Sequence, residues 1–260
     1  NEVPEGSVVI FSAHGVAKSV WEEAQSRRLH VIDATCPLVI KVHNEVNRDY
    51  TQGYELILIG HAGHPEVIGT LGQIPDKFHL VSSVKDVESL HVEKTQNLSY
   101  VTQTTLSVDE CRDIVEALHR RIPNIKGPHQ EDICYATQNR QNAVKSLSKL
   151  VDVILVIGSP NSSNSNRLRE LGEHCGIPSY LIDAASDINP DWLKDAKSVG
   201  LSAGASAPEV LVTEVVAYLK RLGSSEEVEE LTVIEEDVEF LLPKELVTIE
   251  SASRVSASAN

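Results

Sequence analysis

Five short apolar runs, each closed by a loop of small polar residues, constrain the fold of this chain more than any other feature. Ser7–Phe11 runs into Ser12-Ala13-His14-Gly15, Glu55–Ile59 into Gly60-His61-Ala62-Gly63-His64-Pro65-Glu66, and Tyr100-Val101 into Thr102-Gln103-Thr104-Thr105. Val153–Ile157 runs into Gly158-Ser159-Pro160-Asn161-Ser162-Ser163-Asn164, and Ser198–Leu201 into Ser202-Ala203-Gly204-Ala205-Ser206. Unbroken apolar runs that alternate with helical patterns predict the buried parallel strands of an α/β protein. Helices are expected over 108–121, with Val108, Cys111, Ile114, Val115 and Leu118 on one face, and over 133–150, opening near Cys134. Another follows Ala207-Pro208, with proline in its first turn and Leu211, Val215, Tyr218 and Leu219 on its buried side.

The arrangement also repeats. Cys36 follows Val31-Ile32-Asp33 and Cys134 follows Asp132-Ile133, so the two cysteines stand 98 positions apart. The loops opening at Gly60 and Gly158 are again 98 apart, and those opening at Thr102 and Ser202 are 100 apart. Alternation alone produces some coincidences of this kind, but the shared cysteine offset favours related units of about a hundred residues. Aligned with the later loops, Ser12-Ala13-His14-Gly15 closes an earlier unit whose cysteine is expected roughly 55 positions upstream of Asn1. The chain begins with Asn1 and contains no methionine, so a fragment or processed form is expected. The predicted division is 1–34, the remainder of a first α/β unit; 35–131, a second; 132–222, a third; and 223–260, an acidic C-terminal tail. Three units that each offer one thiolate to a shared centre predict a pseudo-threefold arrangement around a three-cysteine site.

Composition removes several function classes. The apolar share of 41% is that of an ordinary globular protein, and no apolar run approaches the ~20 residues of a membrane span. A formal net charge of −15 argues against a nucleic-acid partner, which needs clustered Lys and Arg. Much of the acid lies in residues 224–237, which read as a solvated linker. The four cysteines, Cys36, Cys111, Cys134 and Cys175, lack the tight spacing of a zinc ribbon or a small disulfide framework. Without a secretory pattern at this end, free or metal-bound thiols in a reducing compartment are expected.

A [4Fe–4S] cluster bound by three thiolates leaves one iron open to a substrate. Taken singly, Cys36 and Cys134 read as buried structural thiols; as a matched pair they read as ligands. Cys111 falls on an apolar helix face and Cys175 at a helix end, and both read as structural. His64 and Glu66 are close enough to cooperate, imidazole as anion donor and carboxyl as proton source, although an isolated pair of this kind is more often a solvated surface. Residues 162–166 combine hydroxyls and amides at a helix start, which suits phosphate, while capping alone explains one such residue but not five. The loop 202–208 makes the same offer, and Thr104 and Thr105 add hydroxyls in the equivalent place of the earlier unit. Neither a Walker-type lysine nor a GxGxxG is present to support nucleotide binding. His30, His43, His79, His91, His119 and His129 show no convergent pattern.

The segments FSAHGV (11–16), DATCPLV (33–39), IGHAGHPEV (59–67), TQTTLS (102–107), DICYAT (132–137), GSPNSSNSNRL (158–168) and SAGASAP (202–208) together closely resemble the LytB/IspH family of 4-hydroxy-3-methylbut-2-enyl diphosphate reductases. The resemblance runs through the whole chain apart from the tail. It implies a trefoil of three α/β units around a [4Fe–4S] cluster. It also implies formation of isopentenyl and dimethylallyl diphosphate in the last step of the non-mevalonate isoprenoid pathway. Carried across by position, it makes Cys36 and Cys134 two of three cluster ligands. His14, His64, Ser162, Ser163, Asn164 and Ser206 become the diphosphate-binding set, and Glu66 becomes the proton-delivering residue, with His64 and Thr104 beside it. The third ligand and a further histidine are expected upstream of Asn1, so the chain as it stands is expected to hold the cluster poorly. The implied partners are a small allylic diphosphate and an electron donor such as ferredoxin or flavodoxin, in bacterial cytoplasm or plastid stroma. Two rivals remain: a diphosphate-binding module without redox activity, and a zinc hydrolase using Cys36, Cys134 and a histidine.

Overall fold

The computed structural model describes residues 2–75, 78–92, 97–223, 228–243 and 246. Its strands form three separate sheets, and every pairing is parallel. The first sheet joins β1 (Val8–Phe11) to β2 (His30–Asp33) across helix α1 (Lys18–Ser26). The second has the order β4-β3-β5, with β3 (Glu55–Ile59) between β4 (Phe78–Val81) and β5 (Leu98–Thr102). The third has the order β7-β6-β8, with β6 (Val153–Ile157) between β7 (Ser179–Ile182) and β8 (Val199–Ala203). The central strand thus comes first in sequence in both three-stranded sheets.

The α/β expectation rests on β3 and β6, whose sequences ELILI and VILVI are buried at every position. A strand covered on both faces has no use for alternating polarity, and burial of each Leu or Ile contributes roughly 1.5–3 kcal/mol. Val42 and Val46 of α2 (Pro37–Thr51) and Val67 of α3 (Pro65–Leu71) pack on Leu56, Leu58 and Val101. In the third sheet, Val144 of α6 (Tyr135–Leu147) and Leu168 of α7 (Ser163–His174) cover one face. Val215 and Leu219 of α8 (Glu209–Arg221) join the core on β6.

Several expectations need correction. β1 is not a buried strand: Val8 is 65% and Ile10 68% exposed. Its sheet has two strands, and only the Phe11 side is covered, by an edge-on contact with Trp21 at 4.9 Å. The helix expected over 133–150 spans Tyr135–Leu147 with Cys134 as its N-cap. Pro208 caps α8 from outside rather than entering its first turn. Helix α5 (Val108–Arg121) buries Cys111, Ile114 and Leu118 as expected, and Ala117 in addition.

The fold divides into two compact units, one built from residues 1–104, 111–132 and 237–260, the other from 105–110 and 133–236. The first holds the sheets of β1-β2 and β4-β3-β5, the second that of β7-β6-β8. Of the acidic run 224–237, residues 224–227 lie outside the described residues, and 228–237 are exposed without regular structure. Glu236 accepts a hydrogen bond from Asn139 Nδ2 at 3.0 Å and lies 4.0 Å from Arg140. Among the described residues no helix is long and apolar enough to cross a membrane.

Candidate functional site

In the first unit the loops leaving β1, β2 and β3 come together at the carboxyl ends of the strands, where parallel sheets bind ligands. The Cys36 N–H donates to the Ala13 carbonyl at 3.1 Å, which ties the two cysteine- and histidine-bearing loops together. The loop carrying His14 then lies directly on α3. A Cβ on Gly69 would stand 2.9 Å from the Gly15 carbonyl oxygen, so only glycine permits this approach. Buried Gln73 fastens the contact by donating to both the Val16 and Gly69 carbonyls at 2.9 Å. As a result, the rings of His14 and His64 face each other edge-on with centroids 5.5 Å apart.

His64 is the N-cap of α3, ahead of Pro65 at the first helical position. Its Nδ1 accepts from the Glu66 N–H at 3.2 Å, which leaves Nε2 as the proton-bearing nitrogen of the neutral ring. Burial, then the neighbouring His14 and His61, pull its pKa down to about 4. The ring is therefore a neutral donor at pH 7.

In the first turn of α3, Glu66 is buried at 2% exposure. Its Oε1 accepts from the Thr104 N–H at 2.6 Å and its Oε2 from Thr104 Oγ1 at 2.9 Å. Burial raises its pKa to about 7; the Thr104 hydrogen bonds oppose the rise and Asp132 adds to it. A carboxyl that exchanges its proton near neutral pH, with the Thr104 hydroxyl bonded to one of its oxygens, is equipped for proton transfer.

Three supporting groups had no role in the sequence reading. Gln103 Oε1 accepts from the His61 N–H at 3.1 Å and shapes the 60–64 loop. Asp132 accepts from the Thr102 N–H at 2.8 Å and from Lys41 Nζ at 3.0 Å, and burial lifts its pKa to about 6. His43 lies beneath the Gly15 position, and burial holds its pKa at about 4 despite Asp33. Neither a loop glutamine such as Gln103 nor a helical histidine such as His43 gives a sequence signal of this kind, because the partners arrive from other elements.

The second unit carries the phosphate-like cradle. Ser162 caps α7, and its hydroxyl oxygen accepts from the Ser165 N–H at 3.3 Å. Ser163 Oγ accepts from Thr105 Oγ1 at 3.2 Å. Asn164 is 5% exposed, yet its Oδ1 and Nδ2 are both buried without a hydrogen-bond partner. An amide orphaned in this way costs about 1–3 kcal/mol, and an acceptor oxygen from a ligand would relieve its Nδ2 end. Ser206 is exposed in the turn 204–207, closed by Ala207 N–H to the Gly204 carbonyl at 3.0 Å.

The cysteines separate as their settings dictate. Cys36 and Cys134 are both half-buried N-caps, of α2 and α6, and neither is in a disulfide. Cys134 Sγ accepts from the Thr137 N–H at 3.3 Å, so its sulfur already sits where a helix start favours negative charge. Two soft sulfur donors held at helix starts fit the chemistry of iron–sulfur ligation. Cys111 is buried, with its thiol pushed up to about 12, and Cys175 is the exposed C-cap of α7. Among the described residues no group of three or more His, Cys, Asp and Glu side chains is arranged to hold a metal ion.

Comparison with known proteins gives a consistent result. A family profile described as LytB protein matches residues 1–220. The 4-hydroxy-3-methylbut-2-enyl diphosphate reductase 2 of Bradyrhizobium diazoefficiens is 59% identical over 246 residues, which are 95% of this chain and 80% of that protein. The 4-hydroxy-3-methylbut-2-enyl diphosphate reductase of Aromatoleum aromaticum is 58% identical over 248 residues, 95% of this chain and 79% of that one. Among solved structures, the E-1-hydroxy-2-methyl-but-2-enyl-4-diphosphate reductase of Plasmodium falciparum superposes with a TM-score of 0.92 at 36% identity, covering 98% of this chain and 80% of that one.

Proposed function

The chain belongs to the LytB family, and we propose from this that it is a 4-hydroxy-3-methylbut-2-enyl diphosphate reductase of the non-mevalonate isoprenoid pathway. The observation that carries the reading is the 59% identity to the Bradyrhizobium reductase across 95% of the chain. The reaction takes two electrons and two protons, breaks the bond between the allylic carbon and its hydroxyl oxygen, and releases water. Protonation at either end of the remaining allyl system accounts for isopentenyl and dimethylallyl diphosphate as the two products.

Under this reading the residues divide the work by chemistry. His14 and His64 in the first unit, and Ser162, Ser163, Asn164 and Ser206 in the second, bind the diphosphate. His64 donates from Nε2, the nitrogen left available by its capping bond, and an anion at this point favours proton uptake by the ring. Glu66, which holds its proton near neutral pH, passes it through Thr104 Oγ1 toward the departing hydroxyl. Cys36 and Cys134 hold the cluster, with the third cysteine being the one that the repeat spacing expects upstream of Asn1. When bound, a [4Fe–4S] cluster with an open iron supplies single electrons and a Lewis acid for the hydroxyl. The domain organisation that goes with this is the trefoil of units 1–34, 35–131 and 132–222 with the tail 223–260, and the electron donor is of the ferredoxin or flavodoxin kind.

The test is anaerobic iron–sulfide reconstitution of the chain, beside a form extended upstream of Asn1 by the matching segment of the Bradyrhizobium relative. Visible absorption, iron content and reductive turnover of the allylic diphosphate are then measured. Iron uptake that Cys36→Ser or Cys134→Ser abolishes, with turnover in the extended form, supports the reading. If neither form takes up iron, the assignment of these two cysteines fails.

A further inference from the structure

The structure assigns to Ser165 a positioning role: its hydroxyl fixes Ser162 as a hydrogen-bond donor to a diphosphate oxygen. This rests on the diphosphate-binding reading of the α7 cradle and explains how that cradle selects a ligand made only of acceptors.

A serine hydroxyl has one hydrogen to give and two lone pairs that accept. Ser162 Oγ accepts twice from the same residue, from the Ser165 N–H at 3.3 Å and from Ser165 Oγ at 3.0 Å. With both lone pairs engaged, the Ser162 hydroxyl can only donate. The direction of the bond between the hydroxyls follows from burial. Ser165 is 1% exposed, and its Oγ occupies the space that a Cβ on either Gly158 or Gly204 would need. Wedged between two glycine backbones, the side chain has no room to turn. Among the described residues its hydroxyl has no side-chain partner but Ser162 Oγ, so reversing the bond would leave a buried hydroxyl hydrogen without an acceptor.

The consequence reaches the ligand. A hydroxyl that already accepts is a stronger donor, because linked hydrogen bonds polarise one another. At the start of α7 it adds to backbone N–H groups that attract anions. Beside it, the buried Nδ2 of Asn164 is a second donor without a partner in the protein. Ser163 Oγ next to it accepts one hydrogen bond, from Thr105 Oγ1 at 3.2 Å. A diphosphate, whose oxygens are acceptors, suits such a set; an alcohol or amide head in its place would bring a hydrogen to an oxygen with no lone pair left.

The test is a double-mutant cycle on the full chain, with inorganic diphosphate as the calorimetric probe and thermal melts as the control. Ser162→Ala is expected to weaken diphosphate binding about 10-fold or more, and Ser165→Ala about 3- to 10-fold. In the Ser162→Ala background, Ser165→Ala should change affinity less than about 2-fold, because its only route to the ligand is gone. Where the alanine variant melts early, the cycle is run below its melting transition, so that only folded protein is titrated. A Ser165 effect of equal size in both backgrounds, or no effect in either, overturns the positioning role. If Ser162→Ala itself leaves diphosphate affinity unchanged, the diphosphate reading of the cradle has failed instead.

Discussion

Replacing Glu66 by glutamine separates the acidity of this position from its shape. Glutamine keeps an oxygen for the Thr104 N–H and offers its amide to Thr104 Oγ1, the two contacts that Glu66 makes at 2.6 and 2.9 Å. What it removes is the ionisation. The folded carboxyl titrates at about 7 rather than the ordinary 4.5, so between these values the folded state binds more protons than the unfolded one. This contribution to stability therefore falls as pH rises through the window and levels off above pH 7. The displacement corresponds to about 3 kcal/mol. Other groups titrate in the same range. Asp132, raised to about 6, adds in the same sense. His43 and His64, lowered from 6.5 to about 4, act oppositely, because there the unfolded state binds the extra protons. The wild-type curve sums them all, whereas the difference between wild type and Glu66→Gln isolates one. Urea unfolding of both proteins between pH 4.5 and 8 should show the variant gaining about 3 kcal/mol on wild type. Parallel curves across that range would refute the claim that burial sets the acidity of Glu66. Turnover of the reconstituted variant should fall by about 10²- to 10⁴-fold, the usual worth of a positioned general acid.

Gly69→Ala places a methyl 2.9 Å from the Gly15 carbonyl oxygen and pushes the His14 loop away from His64. A stability loss of about 1–3 kcal/mol with clearly weaker binding of inorganic diphosphate is expected; calorimetry at wild-type affinity would show that the two rings do not act together. Asn164→Leu removes an amide that has no hydrogen-bond partner within the protein. It should leave thermal stability unchanged or raised while diphosphate affinity drops, and a fall in both would mean that the amide serves the fold. Cys134→Ser retains an acceptor for the Thr137 N–H, so α6 should stay folded by circular dichroism while iron content after reconstitution falls.

The sequence pattern shows most clearly what was buried on both faces. β3 and β6 could be read from five consecutive apolar residues each, and the loops behind them from their His, Ser and Asn content. β4 and β7 escaped, because FHLV and SYLI are short and sit mostly half-buried at sheet edges, where polar residues are tolerated. β1 reads as core by composition, yet its exposure depends on what covers a face, which no local pattern encodes. Within the site, residues presented by loops at strand ends were legible, and the groups that hold those loops were not. Gln73 and Gln103 look like ordinary polar residues until another element brings a carbonyl or an N–H to them. Asn164 could be placed in the cradle from sequence, but the lack of any partner for its amide is a property of the folded chain alone.

His64, Cys134 and Ser162 each begin a helix by accepting one of its first N–H groups. This double duty links the evolution of specificity to local architecture. A lineage drifting toward a different ligand cannot exchange one of these side chains without also rewriting how the following helix starts. The replacements open to it are confined to residues that both cap and bind: serine, threonine, asparagine and aspartate, with cysteine and histidine where the chemistry demands them. Innovation in this framework should therefore enter through positions such as Ser206, exposed in a turn and bound to no helix start.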